Sequence, residues 1–412
     1  MQKNIHVRTD ASFGTAQLLP GLPPSIQWSA DVLSAMLEVG ILTSPPRYRA
    51  FHLSTFWAWL RYGAAVSNRH TELRLRALWG QIDPHQKTIL SDDFGMAFPA
   101  LFLKQNFSFE DFSDTRYILE RLLRGVAAPA GRAANGPAKL PDFIATDSLG
   151  RLHILECKGT QIHRYLRHAL ARGVEQKNNV SNGGMFSSCM VSGLFVPQHR
   201  SQSGPELVFA DPAIDNRLKS LEERVPKSRV AREVRRQSLA KALSAAGLWQ
   251  TASAIGRGAV PSEYADFVKN LVSGEMRFSG FERDGERWVK EVKYRAFEQR
   301  EDPKNENEPS TESLEPVDTT LLISLPHELI RTLAEAIQLT GRVREEVVDS
   351  WVTDTARSRR AQRPQISVPV VRANKTLRLT KTSSAWASEE KLEEATVTTT
   401  ADVRFSLRRT FF

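Results

Sequence analysis

The sequence predicts a mixed α/β fold for this chain of 412 residues, and three observations support that prediction. Two strand-like segments, 140–147 and 151–158, flank a short turn and form a hairpin. Segments with helical periodicity precede and follow the hairpin. The acidic, Pro-containing segment 301–318 has almost no apolar residues, which is typical of a linker. A smaller unit is therefore expected after it.

Hydrophobic periodicity and capping residues predict the other elements. In chain order we expect an unstructured arm at 1–24, a helix capped by Ser29, a helix starting at Ser91-Asp92-Asp93, a helix at 115–124, the hairpin, a helix at 162–180, extended segments at 185–196 and 207–209, a basic helix at 214–248, a strand at 321–325 and a helix at 326–357. The resulting regions are a mostly helical one (1–90), a core (91–212), a basic helical extension (213–300), the acidic linker (301–318) and a small α+β C-terminal domain (319–412).

Composition and charge limit the class of protein. Hydrophobic residues make up 41% and charged residues 25%, an ordinary globular balance. The formal charge is +9, and 301–412 holds 16 Lys and Arg against 18 Asp and Glu, so the first 300 residues carry +11. A nucleic-acid partner fits that charge. Cys157 and Cys189 are too few for a disulfide scaffold. Without an apolar run of 18 residues, no membrane span or membrane partner is expected, and a cytoplasmic location is the default.

The hairpin carries the residues with chemical potential. Ser148-Leu149-Gly150 suits a three-residue loop with Gly150 in the left-handed conformation. That loop places Asp142 opposite Glu156, with Lys158 on the same face. Two adjacent carboxylates repel unless a cation lies between them, and Mg²⁺ prefers oxygen ligands such as these and the backbone carbonyl of Cys157. The arrangement suits metal-assisted phosphodiester hydrolysis. The alternative is a surface hairpin with an ordinary Glu–Lys pair.

The segment also resembles a known family. Pro141-Asp142, thirteen intervening residues and then Glu156-Cys157-Lys158 are similar to the motif of the PD-(D/E)xK nucleases, the restriction-endonuclease-like superfamily. The resemblance implies an αβββαβ core over about 91–212, with the acidic pair on its second and third strands. It implies Mg²⁺, which Mn²⁺ can replace, and cleavage of DNA or, less often, RNA. Asp142 and Glu156 would be metal ligands and Lys158 the catalytic lysine.

The resemblance implies further site residues. Gln176 or Lys177, on the helix after the hairpin, matches a position that is often polar or basic in the family. An acid on the first helix is another frequent element, for which Asp92 or Asp93 is the first candidate, with Asp93 taken as a metal ligand, and Glu120 the second. By analogy alone, the resemblance also suggests a restriction or phage-defence context and a homodimer.

A basic helical face is the candidate nucleic-acid contact. Arg229, Arg232 and Arg236 share that face through spacings of three and four residues. The same face is equally explained by solvation and local ion pairs with its acidic neighbours, Glu222, Glu223 and Glu233. Two other function classes stay open. One is a nucleic-acid-binding protein without cleavage activity, and the other is an adaptor that recruits a partner protein, for instance through its C-terminal domain.

Overall fold

The computed structural model describes residues 1–13, 19, 21–46, 62–122, 140–177, 185–211, 225–258, 281–283, 286–288, 290–299, 314–336, 343–362 and 391–411. In these residues the protein is mixed α/β, with a curled seven-stranded sheet, a four-stranded antiparallel sheet, a short two-stranded ribbon and eight α-helices. None of the described helices combines the length and apolar character that a bilayer span requires.

The strands are, in chain order, β1 (Gln2–Thr9), β2 (Ser25–Asp31), β3 (Phe109–Asp114), β4 (Phe143–Asp147), β5 (Leu152–Thr160), β6 (Phe186–Phe195), β7 (Glu206–Ala210), β8 (Phe281–Arg283), β9 (Glu286–Trp288), β10 (Lys290–Gln299), β11 (Leu314–Ser324), β12 (Lys391–Thr398) and β13 (Arg404–Phe411). The helices are α1 (Val32–Thr43), α2 (Pro84–Asn106), α3 (Thr115–Leu122), α4 (Leu166–Lys177), α5 (Lys227–Ala245), α6 (Trp249–Arg257), α7 (His327–Ala336) and α8 (Glu345–Gln362). A short 3₁₀ turn, His163–Tyr165, precedes α4.

The large sheet has the order β2-β1-β7-β6-β5-β4-β3. Its strands β3, β4 and β5 form an antiparallel meander. Strand β6 lies parallel to β5, and α4 makes the crossover between these two strands. Strands β1 and β2 extend the sheet beyond β7. Because β3 pairs with β4 and β6 pairs with β5, the hairpin β4–β5 lies inside the sheet, with a strand on either side. This position excludes the alternative of an ordinary surface hairpin.

The register predicted for the hairpin is confirmed. Gly150 adopts φ 74°, and its amide donates to the carbonyl of Asp147 at 2.9 Å. Phe143 pairs with Leu155 across the two strands. One step outward along the same register, Asp142 lies opposite Glu156, and because directly opposed residues share a face of the sheet, both carboxylates lie on one side.

Helices cover both faces of the large sheet. On one face, Leu166 and Leu170 of α4 pack with Val191, Phe195 and Val208. On the other face, α1 and α2 bury an aromatic cluster that includes Trp28, Phe94, Phe98 and Phe102. Each fully buried side chain of this size contributes roughly 1.5–3 kcal/mol to folding. Both long helices next to the hairpin are therefore anchored to the sheet by apolar burial.

Two glycines allow α2 to cross the end of β5 at backbone contact. A Cβ atom on Gly159 would lie 1.7 Å from the carbonyl oxygen of Ser91, and one on Gly95 would lie 2.7 Å from the amide nitrogen of Gly159. Any larger side chain would separate the helix from the strand. The close crossing brings the first half of α2 to the end of the hairpin that carries Glu156 and Lys158.

The N-terminal expectations are corrected. The arm expected at 1–24 begins instead with β1, whose alternating buried residues pair with β7, about two hundred positions away. Helix α1 is capped by Asp31, not by Ser29, since the Asp31 carboxylate accepts from the amide of Leu33. Helix α2 begins at Pro84 after the cap Asp83, so the acids expected to start it lie inside it. In the described residues of 1–90, the strands β1 and β2 therefore accompany α1 and the first turns of α2.

The C-terminal boundaries also differ from the predicted ones. Strand β10 lies in the expected helical extension, and β11 begins inside the expected linker, of which 301–313 fall outside the described residues. The single helix expected at 326–357 corresponds to α7 and α8. An α+β unit is present, but its buried residues continue the apolar core around α1, with Phe405 and Leu407 in the same cluster as Leu33 and Val39.

Candidate active site

Asp142, Glu156 and Lys158 meet on one face of the hairpin. The amide of Asp142 donates to Oε2 of Glu156 at 3.0 Å, and the amide of Cys157 donates to Oδ2 of Asp142 at 2.8 Å. Each carboxylate is thereby fixed by the backbone of the opposite strand. Glu156 is 0% exposed, whereas Asp142 and Lys158 are half-buried. The three side chains whose proximity was predicted from the turn are brought together.

Helix α4 contributes the next contact. Nζ of Lys158 donates to Oε1 of Glu156 and, at 2.5 Å, to Oε1 of Gln176. The helix comes this close because it has a glycine where it faces the strand. A Cβ atom on Gly173 would lie 2.5 Å from Val191 and 3.3 Å from Cγ of Glu156. Gln176 therefore holds the ammonium group together with Glu156.

Lys177, the other candidate on α4, does not reach this cluster. Its side chain is fully buried, with Nζ 4.0 Å from Oδ1 of Asp211 at the end of β7. Burial lowers the pKa of Lys177 and raises the pKa of Asp211 to about 6. Neighbouring positions on a helix point about 100° apart, so Gln176 and Lys177 cannot both face Lys158. Lys177 is a residue of the protein interior.

Both acids of the hairpin are destabilised in their ionised form. Burial, followed by the charge of Asp142, raises the pKa of Glu156 to about 8, despite the opposing attraction of Lys158. Burial also raises the pKa of Asp142, against the hydrogen bond from Cys157 and the charge of Lys158. The pair therefore holds a proton at neutral pH unless another cation compensates its charge.

Further acids near the hairpin come from α2 and β3. Asp92 is attracted by Lys158, and its charge helps to raise the pKa of Asp142; partial burial raises the pKa of Asp92 itself. The charge of Asp114 also helps to raise the pKa of Asp142. Nζ of Lys241 on α5 lies 2.5 Å from Oδ2 of Asp114. Asp114 is the last residue of β3, which pairs antiparallel with β4.

The two other acidic candidates point elsewhere. Oδ2 of Asp93 accepts a hydrogen bond from the hydroxyl of Tyr62. Because α2 starts well before this turn, Asp92 and Asp93 point in different directions from a continuous helix, and Asp92 is attracted by Lys158 of the hairpin. Glu120 pairs with Arg116 at 2.7 Å on the exposed side of α3. Of the two adjacent acids, Asp92 is the one that interacts electrostatically with Lys158, while the choice of Asp93 as a metal ligand stays a prediction.

The donor atoms fit a hard divalent cation. Oδ1 of Asp142 accepts no hydrogen bond from the described residues, so it is available to a ligand. The carbonyl of Cys157 faces the same side as its amide, toward Asp142, because both groups of a strand residue point to one neighbour. The Cys157 side chain is buried in the core on the other face, as expected. Among the described residues no group of three or more His, Cys, Asp and Glu forms a ready metal cluster. Mg²⁺ needs only one or two carboxylates, since it keeps several waters.

The predicted nucleic-acid contact on α5 is largely used by ion pairs. Arg236 is 4% exposed, and its guanidinium pairs with Glu233 and, at 2.5 Å, with Glu345 of α8. Arg232 lies 3.9 Å from Asp349 of the same helix, and Arg229 is exposed. The prediction is wrong for Arg236, because α8 covers this face with acids more than one hundred positions away. Glu222 and Glu223, the other expected partners, lie outside the described residues.

Comparisons with protein-family models, with curated proteins and with solved structures gave no match for this chain. The residues of the hairpin and their surroundings are therefore the basis for any statement about function.

Proposed function

We propose that the chain is a Mg²⁺-dependent nuclease that hydrolyses phosphodiester bonds, with DNA as its substrate. The observation that carries the proposal is the joined set of Asp142, Glu156 and Lys158 on one face of the hairpin, with Gln176 against the lysine. Buried carboxylates with raised pKa values beside a positioned ammonium group are a costly arrangement for folding, and active sites are where such costs concentrate.

The order of elements around the site supports the same proposal. Helix α2, the meander β3-β4-β5, helix α4 and strand β6 follow each other in the chain. Three antiparallel strands, then a helix and a strand parallel to the third, agree with the αβββαβ core that the sequence resemblance implies. In that scheme Asp142 flanks the second strand and Glu156 lies on the third. Helix α3, inserted after β3, is an addition to it.

The residues divide the chemistry in the following way. Asp142, Glu156 and the carbonyl of Cys157 would hold Mg²⁺, and the chemistry it would supply there is polarisation of a phosphoryl oxygen and a lower pKa of a bound water. Lys158, whose ammonium group Gln176 holds, would direct that group at the phosphate and stabilise the developing negative charge. Gln176 is a positioning residue, since it acts through Lys158. Asp92 adds a further carboxylate that interacts with Lys158.

The test is cleavage of linear DNA, circular DNA and RNA by the purified chain with Mg²⁺, with Mn²⁺ and with EDTA. We expect metal-dependent cleavage of DNA that falls at least about 100-fold in Glu156→Gln and in Lys158→Ala. Glu120→Gln, an exposed acid on α3, is the matched control and should cleave like wild type. Cleavage that persists in EDTA, or in both site variants, would refute the proposal.

A second candidate, a nucleic-acid-binding or adaptor protein without cleavage activity, is favoured by one observation. Lys158 already pairs with Glu156, and the described residues contain no ready cluster of three metal-binding groups. A chain that binds DNA but leaves it intact with either metal would support this candidate. The restriction or phage-defence context, and assembly as a homodimer or with a partner protein through the C-terminal unit, are proposals by analogy.

A further inference from the structure

One face of α4, beside the candidate site, carries arginines that form no ion pair with any acid of the described residues. The buried face of the helix, which includes Leu166, Leu170 and Gly173, lies on the sheet. The opposite side, together with the preceding 3₁₀ turn, is exposed. We call it the α4 face, and its residues are Ile162, Arg164, Tyr165, Arg167, His168 and Arg172. It follows directly after the strand that carries Glu156 and Lys158.

The α4 face has a strong charge imbalance. Three exposed arginines stand against a single exposed acid in the segment, Glu175. Within the described part of the chain, Arg164, Arg167 and Arg172 form no ion pair. Exposed guanidinium groups without acidic partners form a positive surface, and polyanions such as a nucleic-acid backbone are attracted to it.

An exposed aromatic ring lies at the far end of the α4 face. Tyr165 is 47% exposed, and the guanidinium of Arg164 lies 5.1 Å from the centre of its ring. The apolar side chain of Ile162, 44% exposed, is close in sequence. A ring that is held by a cation and open to solvent can stack on an unpaired base, and duplex bases cannot reach it without leaving their stack.

Helical geometry connects this end to the catalytic lysine. His168, Arg172 and Gln176 are spaced by four residues, so they lie along one stripe of the helix. Gln176 contacts Lys158 directly. At 1.5 Å per residue, the distance along the helix from Tyr165 to Gln176 is about 16 Å. The stripe thus runs from the exposed ring to the candidate site.

We propose that the α4 face binds an unpaired nucleic-acid segment, with a base on Tyr165 and phosphates on Arg167 and Arg172, and leads the strand toward Lys158. This inference rests on the proposed function and adds to it a preference for substrates with a single-stranded part. The charge without acidic partners argues for a polyanion, and the exposed ring argues for one with accessible bases.

The experiment measures binding by the full chain in EDTA, so that no cleavage occurs. A fluorescein-labelled single-stranded oligonucleotide and its matched duplex are titrated at several salt concentrations, and anisotropy gives the Kd. The variants are Tyr165→Ala, its conservative partner Tyr165→Phe, and the double variant Arg167→Ala/Arg172→Ala. Arg331→Ala is the matched control, because Arg331 is exposed on α7.

We expect the wild type to bind the single strand more tightly than the duplex. Tyr165→Ala should weaken single-strand binding at least about fivefold, the lower end of base stacking, while Tyr165→Phe binds like wild type. The double variant should lower the slope of log K against log salt by about 1.4, for two phosphates. Arg331→Ala should change neither quantity.

Equal affinity for duplex and single strand, or wild-type binding by Tyr165→Ala and the double variant, would overturn the inference. The cleavage assay with Mg²⁺ separates this failure from failure of the proposed function. Cleavage that depends on Glu156 but not on the α4 face would leave the nuclease proposal intact and refute only the binding surface. Binding that depends on Tyr165, without any cleavage, would support the binding surface and refute the nuclease proposal.

Discussion

Helices α4 and α5 are both basic in sequence, but the structure uses their charges in opposite ways. On α5, Arg235 lies 3.9 Å from Asp111, Arg236 is enclosed by acids, and Lys241 holds Asp114. On α4, the arginines face solvent. Local charge patterns do not distinguish the two helices. What distinguishes them is the acids that the fold brings from other elements, which cover α5 and leave α4 open.

The ion pairs of α5 connect separate parts of the fold. Arg121 of α3 contacts Glu233 at 3.1 Å and also pairs with Glu345, which in turn pairs with Arg236. Helices α3, α5 and α8 are therefore held together by one network of charges. Buried networks of this type contribute little net stability against apolar replacements, but they are sensitive to the loss of a single member.

The largest expected effect is the removal of Arg236. In Arg236→Ala, the buried Glu233 loses a partner while its own burial is unchanged, and Glu345 loses one of its two arginines. We expect a loss of about 3–5 kcal/mol in the free energy of unfolding. Urea denaturation, followed by tryptophan fluorescence and by far-UV circular dichroism, measures it.

The matched control is on α4. Arg172→Ala removes an exposed arginine without an acidic partner in the described residues, so stability should change by no more than about 0.5 kcal/mol. Similar losses for both variants would show that the two helices do not differ in the way their charges are used.

The second effect concerns the carboxylates of the candidate site, above all Glu156. With a folded-state pKa of about 8, against an ordinary value near 4.5, Glu156 keeps its proton in the folded state at a pH where the unfolded chain has lost it. Stability of the metal-free protein should therefore fall as pH rises from about 4.5 to 8. Glu156→Gln should remove this part of the pH dependence and be more stable than wild type at pH 8, by roughly 4 kcal/mol.

Thermal unfolding from pH 5 to pH 8, with and without Mg²⁺, checks this prediction. Mg²⁺ should raise the Tm of the wild type at pH 8 and leave Glu156→Gln almost unchanged, because the variant lacks one of the ligands. A wild-type Tm that increases with pH more steeply than that of the variant would contradict the raised pKa.

The sequence predicted the local part of the site and missed what depends on distant contacts. The loop at Gly150 sets the register, so the proximity of Asp142, Glu156 and Lys158 could be worked out from neighbouring residues. The partners of Arg236 could not, because Glu345 lies more than one hundred positions away. Strand β1 was missed for the same reason, since its neighbours β2 and β7 fix a short polar segment that has weak strand character alone.

The sequence could not decide between candidate residues at adjacent positions, because that choice depends on how each helix is rotated about its axis. Whether Asp92 or Asp93 lies toward Lys158 depends on where α2 begins. Whether Gln176 or Lys177 contacts Lys158 depends on how α4 lies on the sheet. The two glycines that bring these helices close, Gly159 and Gly173, were present in the sequence as a signal. A glycine at such a position indicates that another backbone approaches closely. Gly159 and Gly173 therefore predict that both helices lie beside the site.

The third effect follows from the close approach of α4. In Gly173→Ala, the new methyl group would meet Val191 and Glu156, so the helix must move away from β5. We expect a net loss of about 1 kcal/mol, since crowding is partly offset by the better helix propensity of alanine. The rate of cleavage should fall even under conditions where the variant is fully folded, because Gln176 would move away from Lys158. Ala169→Gly, on the same buried face, is the control for helix propensity and should lose stability without this additional loss of activity.

The smallest expected effect tests the covered helix directly. Arg232 is half exposed, lies 3.9 Å from Asp349 and belongs to the face that its sequence suggested for nucleic acid. Arg232→Ala should change the free energy of unfolding by less than about 0.5 kcal/mol, as for other exposed ion pairs. It should also leave the Kd for the single-stranded oligonucleotide within about twofold, because Asp349 already neutralises much of the charge that a phosphate would meet. A loss of affinity equal to that of Arg167→Ala/Arg172→Ala would mean that α5 binds nucleic acid although acids of α8 pair with its arginines. The two helices would then not differ in how they use their charges.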